Sequence, residues 1–157
     1  MKLKSQTGTY VLVLVSDATE RIEVGALGNV TLTQGTTYLY VGSAFGAGGV
    51  ASRVQRHART NHAKHWHIDY IRAHCAMQGA WVSYSDSRLE CRWARALLDA
   101  EAASVPQSGV GSSDCTCKTH FIRWDARDAC VAKKTVGERI QKANSCAICW
   151  MNYADMQ

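Results

Sequence analysis

A strand, a glycine-rich loop and a helix follow one another between residues 38 and 59, and this stretch most limits how the chain can fold. Residues 38–41 (YLYV) are aromatic or β-branched, which is typical of a buried strand. The next eight residues include four glycines, whose backbone adopts conformations that other residues avoid. Helical spacing follows, with Arg53 and His57 one turn apart. The stretch therefore predicts that a tyrosine, a guanidinium and an imidazole meet, as in a phosphate-binding site.

A second strand is predicted at residues 7–15 (TGTYVLVLV), and its continuous apolar run indicates a central position covered on both sides. Further strands are predicted at residues 21–24, 30–33, 79–84 and 120–124, and helices at residues 50–60, 64–76, 88–103 and 136–143. We therefore expect an α+β fold, in which helices pack on a small mixed sheet that is mainly antiparallel.

The length of 157 residues predicts a single domain, with a core at about residues 7–125 and a C-terminal extension of unclear role at residues 126–157. A net charge of +5 is compatible with a polyanionic partner such as DNA. The N-terminus lacks the pattern of a signal peptide, and no apolar run reaches the length of a membrane span. We therefore expect a cytoplasmic protein whose seven cysteines are reduced, and no membrane partner.

An ordered set of residues lies on the predicted strands at residues 7–15 and 38–41, on the loop residue that follows the second of them, and on the predicted helices at residues 50–60 and 88–103. It consists of Gly8-Thr9-Tyr10, Tyr40-Val41-Gly42, Arg53, His57 and Glu90. In this order the set resembles the GIY-YIG nuclease superfamily. Four strings resemble one branch of it, which occurs alone and fused to DNA-glycosylase domains: YVGSA (40–44), RVQRH (53–57), HWHIDY (65–70) and GSSDC (111–115). The resemblance implies a GIY-YIG-like fold and a metal-dependent endonuclease that hydrolyses DNA phosphodiester bonds, in repair or in the processing of structured or damaged DNA.

The resemblance also implies a role for each matched residue. The Tyr10 hydroxyl takes a proton from the attacking water, Glu90 holds one Mg²⁺ or Mn²⁺ ion, and Arg53 contacts phosphate. A tyrosine with its ordinary pKa of about 10 is a poor base at neutral pH, so we expect His57 and the metal ion to assist it. Tyr40 adds a second hydroxyl. The expected catalytic residues are therefore Tyr10, Tyr40, Arg53, His57 and Glu90, with Glu90 as the metal ligand.

The expected substrate is DNA that is branched, nicked or abasic. We expect it to contact the residues that surround the catalytic set, namely Gly42, Ser43, Arg56, His65, His67, Ser112 and Ser113. Two departures from the superfamily stand out: Ser43 occupies the place of a common lysine, and no asparagine counterpart follows Glu90. An alternative hypothesis is therefore a non-catalytic nucleic-acid-binding module on the same fold.

Each of these residues also has a purely structural interpretation. Tyr10 and Tyr40 are ordinary strand aromatics if they only fill a core. Glu90 is a favourable acid at the start of a helix, where it interacts with the helix dipole. Arg53 and His57 lie on a solvent-exposed face if the helix turns its other side to the core.

Two other groups of residues raise the question of a metal site. His65 and Asp69 share one face of the predicted second helix, either as metal ligands or, as we prefer, in a structural or DNA-contacting role. Thiol and imidazole groups also suggest zinc, with the candidate ligands Cys115, Cys117, His120, Cys146 and Cys149. Because free buried cysteines are common, we rank zinc after Mg²⁺ or Mn²⁺. A zinc-stapled interaction protein is the third hypothesis.

Overall fold

The computed structural model describes residues 2–157 and contains eight strands and four α-helices in this part of the chain. The strands are β1 (Gly8–Ser16), β2 (Glu20–Glu23), β3 (Asn29–Leu32), β4 (Thr37–Ala44), β5 (Cys75–Ser83), β6 (Ala103–Ser104), β7 (Phe121–Trp124) and β8 (Cys149–Asn152). The helices are α1 (Gly49–Ala58), α2 (His67–Arg72), α3 (Glu90–Leu98) and α4 (Ala129–Lys142), and there are two short 3₁₀ turns at Gly25–Leu27 and Tyr153–Met156.

Six strands form one sheet in the order β6-β7-β4-β1-β5-β8, and β2 and β3 form a separate hairpin. Every strand pair in residues 2–157 is antiparallel. β1 lies inside the sheet, and its side chains are buried on both faces, Tyr10 and Leu12 on one and Val11 and Val13 on the other. The predicted α+β class with a mainly antiparallel sheet is confirmed, and so is the central position of β1.

Different helices cover the two faces of the sheet. α1 and α2 pack on the face that carries Tyr10, Tyr38 and Tyr40, which we call the tyrosine face. α3 and α4 pack on the opposite face, which we call the tryptophan face because Trp93 and Trp124 lie in its core. No helix in the described chain is long and apolar enough to cross a lipid bilayer.

Two predicted helices are shorter in the structure than in the sequence pattern. α2 spans residues 67–72 instead of 64–76, because the chain from Cys75 onward pairs with β1, where Cys75 faces Ser16. α3 ends at Leu98 instead of residue 103, since Ala103 pairs with Trp124 of β7. In both places, strand pairing over a long sequence distance replaces a local helical preference.

The segment 126–157 adds a helix and an edge strand to the sheet. α4 begins at Ala129, earlier than predicted, because the Asp128 carboxylate accepts a hydrogen bond of 2.9 Å from the Val131 N–H and caps the helix. β8 then pairs with β5, where Met151 faces Ala80. The role that the sequence left unclear is therefore to cover one edge of the sheet and part of its tryptophan face.

Candidate active site and metal centre

The two tyrosine-glycine triplets meet directly in the sheet. Tyr10 of β1 faces Gly42 of β4 across the ladder. A Cβ atom on Gly42 would lie only 2.4 Å from Cζ and Oη of Tyr10. The Tyr10 ring therefore lies across the glycine backbone, and any larger residue at position 42 would displace it. Gly42, which is also predicted to contact substrate, makes room for the Tyr10 ring.

His57 joins the two phenols on the tyrosine face. Its Nε2 and the Tyr10 hydroxyl share a hydrogen bond of 2.7 Å, and its ring meets the edge of the Tyr40 ring at a centroid distance of 5.9 Å. We call Tyr10, Tyr40 and His57 the tyrosine–histidine cluster. Tyr10 and His57 are each only 1% exposed, and Tyr40 is 7% exposed. His57 therefore lies in the core and not on a solvent-exposed helix face.

Burial sets the protonation of this cluster. Burial lowers the pKa of His57 to about 3. The negative charge of Asp69 opposes this shift, whereas the positive charges of Arg53 and Arg56 add to it. Burial also raises the pKa of Tyr10 and Tyr40 well above the ordinary value, and the negative charge of Glu90 raises both further, whereas Arg53 lowers both. At neutral pH the imidazole and both phenols are therefore uncharged.

Arg53 lies at the rim of the cluster. Its Nη1 donates a hydrogen bond of 3.1 Å to the Ser43 carbonyl oxygen, at the end of β4. Its guanidinium lies 4.4 Å from the centre of the Trp66 ring, and that of Arg56 lies 4.5 Å from the same ring. Two cations therefore share one aromatic platform, in the arrangement of a cation–π contact.

Asp69 holds this platform together. One of its oxygens, Oδ2, accepts hydrogen bonds from Arg56 Nη2 at 2.8 Å and from the backbone N–H groups of His65 at 2.8 Å and Trp66 at 3.0 Å. The expectation that His65 and Asp69 share a helix face is wrong, because α2 begins at His67 and Asp69 caps it. His65 itself is exposed. The preferred structural role of Asp69 agrees with these contacts.

The loop between β6 and β7 approaches the same end of the sheet. The Gly111 N–H donates a hydrogen bond of 3.0 Å to His67 Nδ1. Gly111 has a positive φ of 72°, and a Cβ there would lie 2.8 Å from Cε2 of Tyr40. The next residue, Ser112, is buried, whereas Ser113 is exposed. The loop thus packs against Tyr40, and Ser113 remains accessible.

Glu90 reaches this end of the sheet from the tryptophan face, as the first residue of α3. Its Oε1 accepts a hydrogen bond of 2.8 Å from Nδ1 of the buried His120, and its side chain is 25% exposed. A cavity of about 290 Å³ opens beside it, and Ser43, Gly111 and Asp114 also line this cavity. Glu90 therefore shares one pocket with the end of β4, although its helix packs on the opposite face from α1.

Three cysteines and one histidine meet beside Glu90, and we call them the thiol cluster: Cys91, Cys115, Cys117 and His120. Their candidate ligand atoms all lie within 4.8 Å of one another, so the cluster could hold a metal ion. Burial, followed by the nearby thiols of Cys117 and Cys115, raises the pKa of Cys91 to about 12 when no ion is present.

The thiol cluster corrects the ligand set expected from the sequence. Cys146 and Cys149 are not part of it, since the Cys146 thiol contacts Ser85 Oγ at 3.7 Å and Cys149 pairs with Val82 in the sheet. Cys91 takes their place, and sequence spacing gave no signal for it, because it lies on a helix far from Cys115 in the chain.

The fold and site together define a small α+β protein with a buried phenol–imidazole pair and a thiol cluster at one end of its sheet. The chain belongs to the family described as "Domain of unknown function DUF123", whose model matches residues 9–143. Comparison with curated proteins and with solved structures found no match.

Proposed function

We propose that this protein is a metal-dependent DNA endonuclease of the GIY-YIG type, which hydrolyses phosphodiester bonds in branched, nicked or abasic DNA during repair. The observation that carries the proposal is the 2.7 Å hydrogen bond between Tyr10 and His57, beside Tyr40 and close enough to Arg53 for its charge to lower the pKa of Tyr10. These residues come from two strands and a helix, and a core needs only apolar side chains at such positions.

The proposed proton path runs from the attacking water to Tyr10, with His57 as the neighbouring acceptor. In the resting protein the proton stays on Tyr10, because burial raises the pKa of the phenol and lowers that of the imidazole. Arg53 acts in the opposite direction on Tyr10, since its charge stabilises a phenolate. Catalysis therefore requires that the charges which arrive with the substrate change the proton equilibrium between Tyr10 and His57.

Glu90 and Asp114 supply the oxygen donors that a hard divalent ion prefers, and both line the cavity beside Ser43. Oε1 of Glu90 already accepts from His120, which leaves Oε2 for an ion that keeps most of its waters. A bound Mg²⁺ or Mn²⁺ supplies positive charge against the phosphate and the leaving oxygen. Arg53 and Arg56 add donors to phosphate oxygens from the Trp66 platform.

Two general properties agree with this proposal. The net charge of +5 favours association with a polyanion. All seven cysteines are free, which accords with a reducing compartment such as the cytoplasm.

A non-catalytic DNA-binding module on the same fold is the second candidate. The burial of Tyr10 and His57, each 1% exposed, favours it, because a water molecule must reach the phenol for the proposed chemistry. The engagement of Glu90 with His120 also favours it, since that contact occupies one carboxylate oxygen.

A cleavage assay with matched glutamate variants separates the two candidates. Nicked, flapped and abasic duplexes are incubated with Mg²⁺ or Mn²⁺ and with wild type, Glu90→Gln or Glu101→Gln. An endonuclease cleaves at least one substrate, loses about 10²- to 10³-fold in rate in Glu90→Gln and keeps its rate in Glu101→Gln, whose carboxylate is exposed elsewhere. Salt-dependent DNA binding without cleavage by any of the three proteins would support the binding module.

A further inference from the structure

We propose that Cys91, Cys115, Cys117 and His120 bind one structural Zn²⁺ ion, and that this ion fixes His120 and thereby positions Glu90. The site of the zinc ion stands on the contacts of these four residues alone. Only the consequence for catalysis rests on the proposed endonuclease function.

The distances within the thiol cluster match a tetrahedral zinc shell. Zn–S bonds of about 2.3 Å and Zn–N bonds of about 2.0–2.1 Å imply separations of about 3.6–3.8 Å between ligand atoms. His120 Nε2 lies 3.5 Å from Cys115 Sγ and 4.0 Å from Cys91 Sγ, and all four ligand atoms fall within 4.8 Å of one another. Side-chain movements that shorten these separations by up to about 1 Å would close such a shell.

The second ring nitrogen of His120 gives an independent indication. Its Nδ1 lies 2.8 Å from Glu90 Oε1, and its Nε2 lies on the side of the thiols. Histidines that bind zinc characteristically donate their other N–H group to a carboxylate, which fixes the ring and raises its basicity. His120 is 1% exposed, so this orientation is held within the protein and not at its surface.

Four ligands from the protein indicate a structural site and not a catalytic zinc. Catalytic zinc ions usually keep one position open for water, whereas three thiolates and one imidazole complete the shell. Zinc is also the appropriate ion, because it favours sulfur and nitrogen donors, whereas Mg²⁺ favours oxygen.

The ligands connect two parts of the fold. Cys91 lies on α3, and the other three ligands lie in the loop between β6 and β7, of which His120 is the last residue. The same loop carries Gly111, which packs against Tyr40, and β7 begins directly after His120. An ion at this point would therefore hold α3, the loop and Glu90 in one fixed arrangement beside the tyrosine–histidine cluster.

Metal analysis of purified protein tests the site without any reference to cleavage. We expect one zinc ion per chain after dialysis, and visible absorption typical of cobalt bound by thiolates when Co²⁺ replaces it. Cys91→Ser and Cys117→Ser should lose the metal, whereas Cys130→Ser, which removes an exposed thiol on α4, should keep it. Wild type that neither contains nor takes up zinc or cobalt overturns the proposal, even if the cysteine variants fail to fold.

A chelator competition tests the positioning role of Glu90. We expect Glu90→Gln to weaken zinc binding by about 10- to 100-fold, because His120 loses a charged partner. Glu101→Gln should bind zinc as wild type does. Equal zinc affinity in Glu90→Gln and wild type would refute the link between Glu90 and the ion. A protein that binds zinc in this pattern but cleaves no DNA would contradict the endonuclease and leave the zinc site supported.

Discussion

The two buried histidines at this end of the sheet are equally inaccessible, yet their partners give them different chemistry. His57 and His120 are each 1% exposed. His57 lies on the tyrosine face and shares its hydrogen bond with a neutral phenol, whereas His120 pairs with the Glu90 carboxylate and turns its other nitrogen to the thiols. At equal burial, the partner groups of a core histidine therefore distinguish a ring that is paired with a neutral phenol from one that is paired with a carboxylate and thiols.

The two clusters also differ in what stabilises them. The tyrosine–histidine cluster consists of uncharged groups that pack together, with one hydrogen bond between Tyr10 and His57 and with His57 Nδ1 unpartnered among the described residues, so no cation is needed to offset a charge there. In the thiol cluster, the crowded thiols gain a common partner only when a cation is present. Perturbations of the first should therefore act through packing and proton chemistry, and perturbations of the second through metal content.

The largest effect is expected when the Tyr10 hydroxyl is removed. If Tyr10 takes part in proton transfer, Tyr10→Phe should lower the rate of DNA cleavage by about 10²- to 10⁴-fold and leave the zinc content unchanged. Tyr38→Phe is the matched control, since Tyr38 lies on the same strand as Tyr40 and its hydroxyl bonds only to the Thr33 N–H among the described contacts. Equal rates of cleavage by Tyr10→Phe and wild type would show that the Tyr10 hydroxyl takes no part in the reaction.

A smaller effect is expected when Gly42 is replaced. Gly42→Ala places a methyl group where Tyr10 lies, and such overpacking should lower the free energy of unfolding by about 1–3 kcal/mol in urea denaturation. Gly46→Ala is the control, because a Cβ there meets open space, and we expect a change below about 0.5 kcal/mol. Excess zinc should not restore the loss, since neither Gly42 nor Tyr10 belongs to the thiol cluster. Similar free energies of unfolding for the two variants would show that the Tyr10 ring moves aside for the added methyl group without a loss of stability.

The effect that is smallest near neutral pH is expected in the pH dependence of stability. Between pH 6.5 and about 3 the unfolded chain protonates His57 and the folded chain does not. The free energy of unfolding therefore falls as the pH falls through this range, by up to about 1.4 kcal/mol per pH unit from this residue. His57→Gln should have a shallower slope than wild type in urea denaturation at several pH values. Parallel slopes for the two proteins would mean that His57 takes up its proton equally in both states.

The tyrosine face was largely predictable from sequence because its signals are local. The apolar run of β1, the aromatic run of β4 and the spacing of Arg53 and His57 are each read within one turn or one strand. These patterns placed the right elements, and the order of the residues suggested that they meet. They could not indicate the direct pairing of Tyr10 with Gly42, which depends on strand register.

The thiol cluster was only partly predictable because it depends on long-range packing. Cys115, Cys117 and His120 lie close together in sequence, but Cys91 joins them only after α3 packs on the tryptophan face.

Arg72 is a second residue whose position depends on long-range packing. It is buried and donates hydrogen bonds to the carbonyl oxygens of His57 and Cys75, and no local pattern distinguishes it from a surface arginine.

The order in which the strands are synthesised has a consequence for folding. β5 pairs with β1 along one side, but its other side is covered only by β8, which comes near the end of the described chain. Until β8 emerges from the ribosome, the nascent protein therefore presents a long, unpaired strand to the cell. Such an exposed strand edge favours pairing with other chains, and the pairing with β8 removes that edge at residues 79–82.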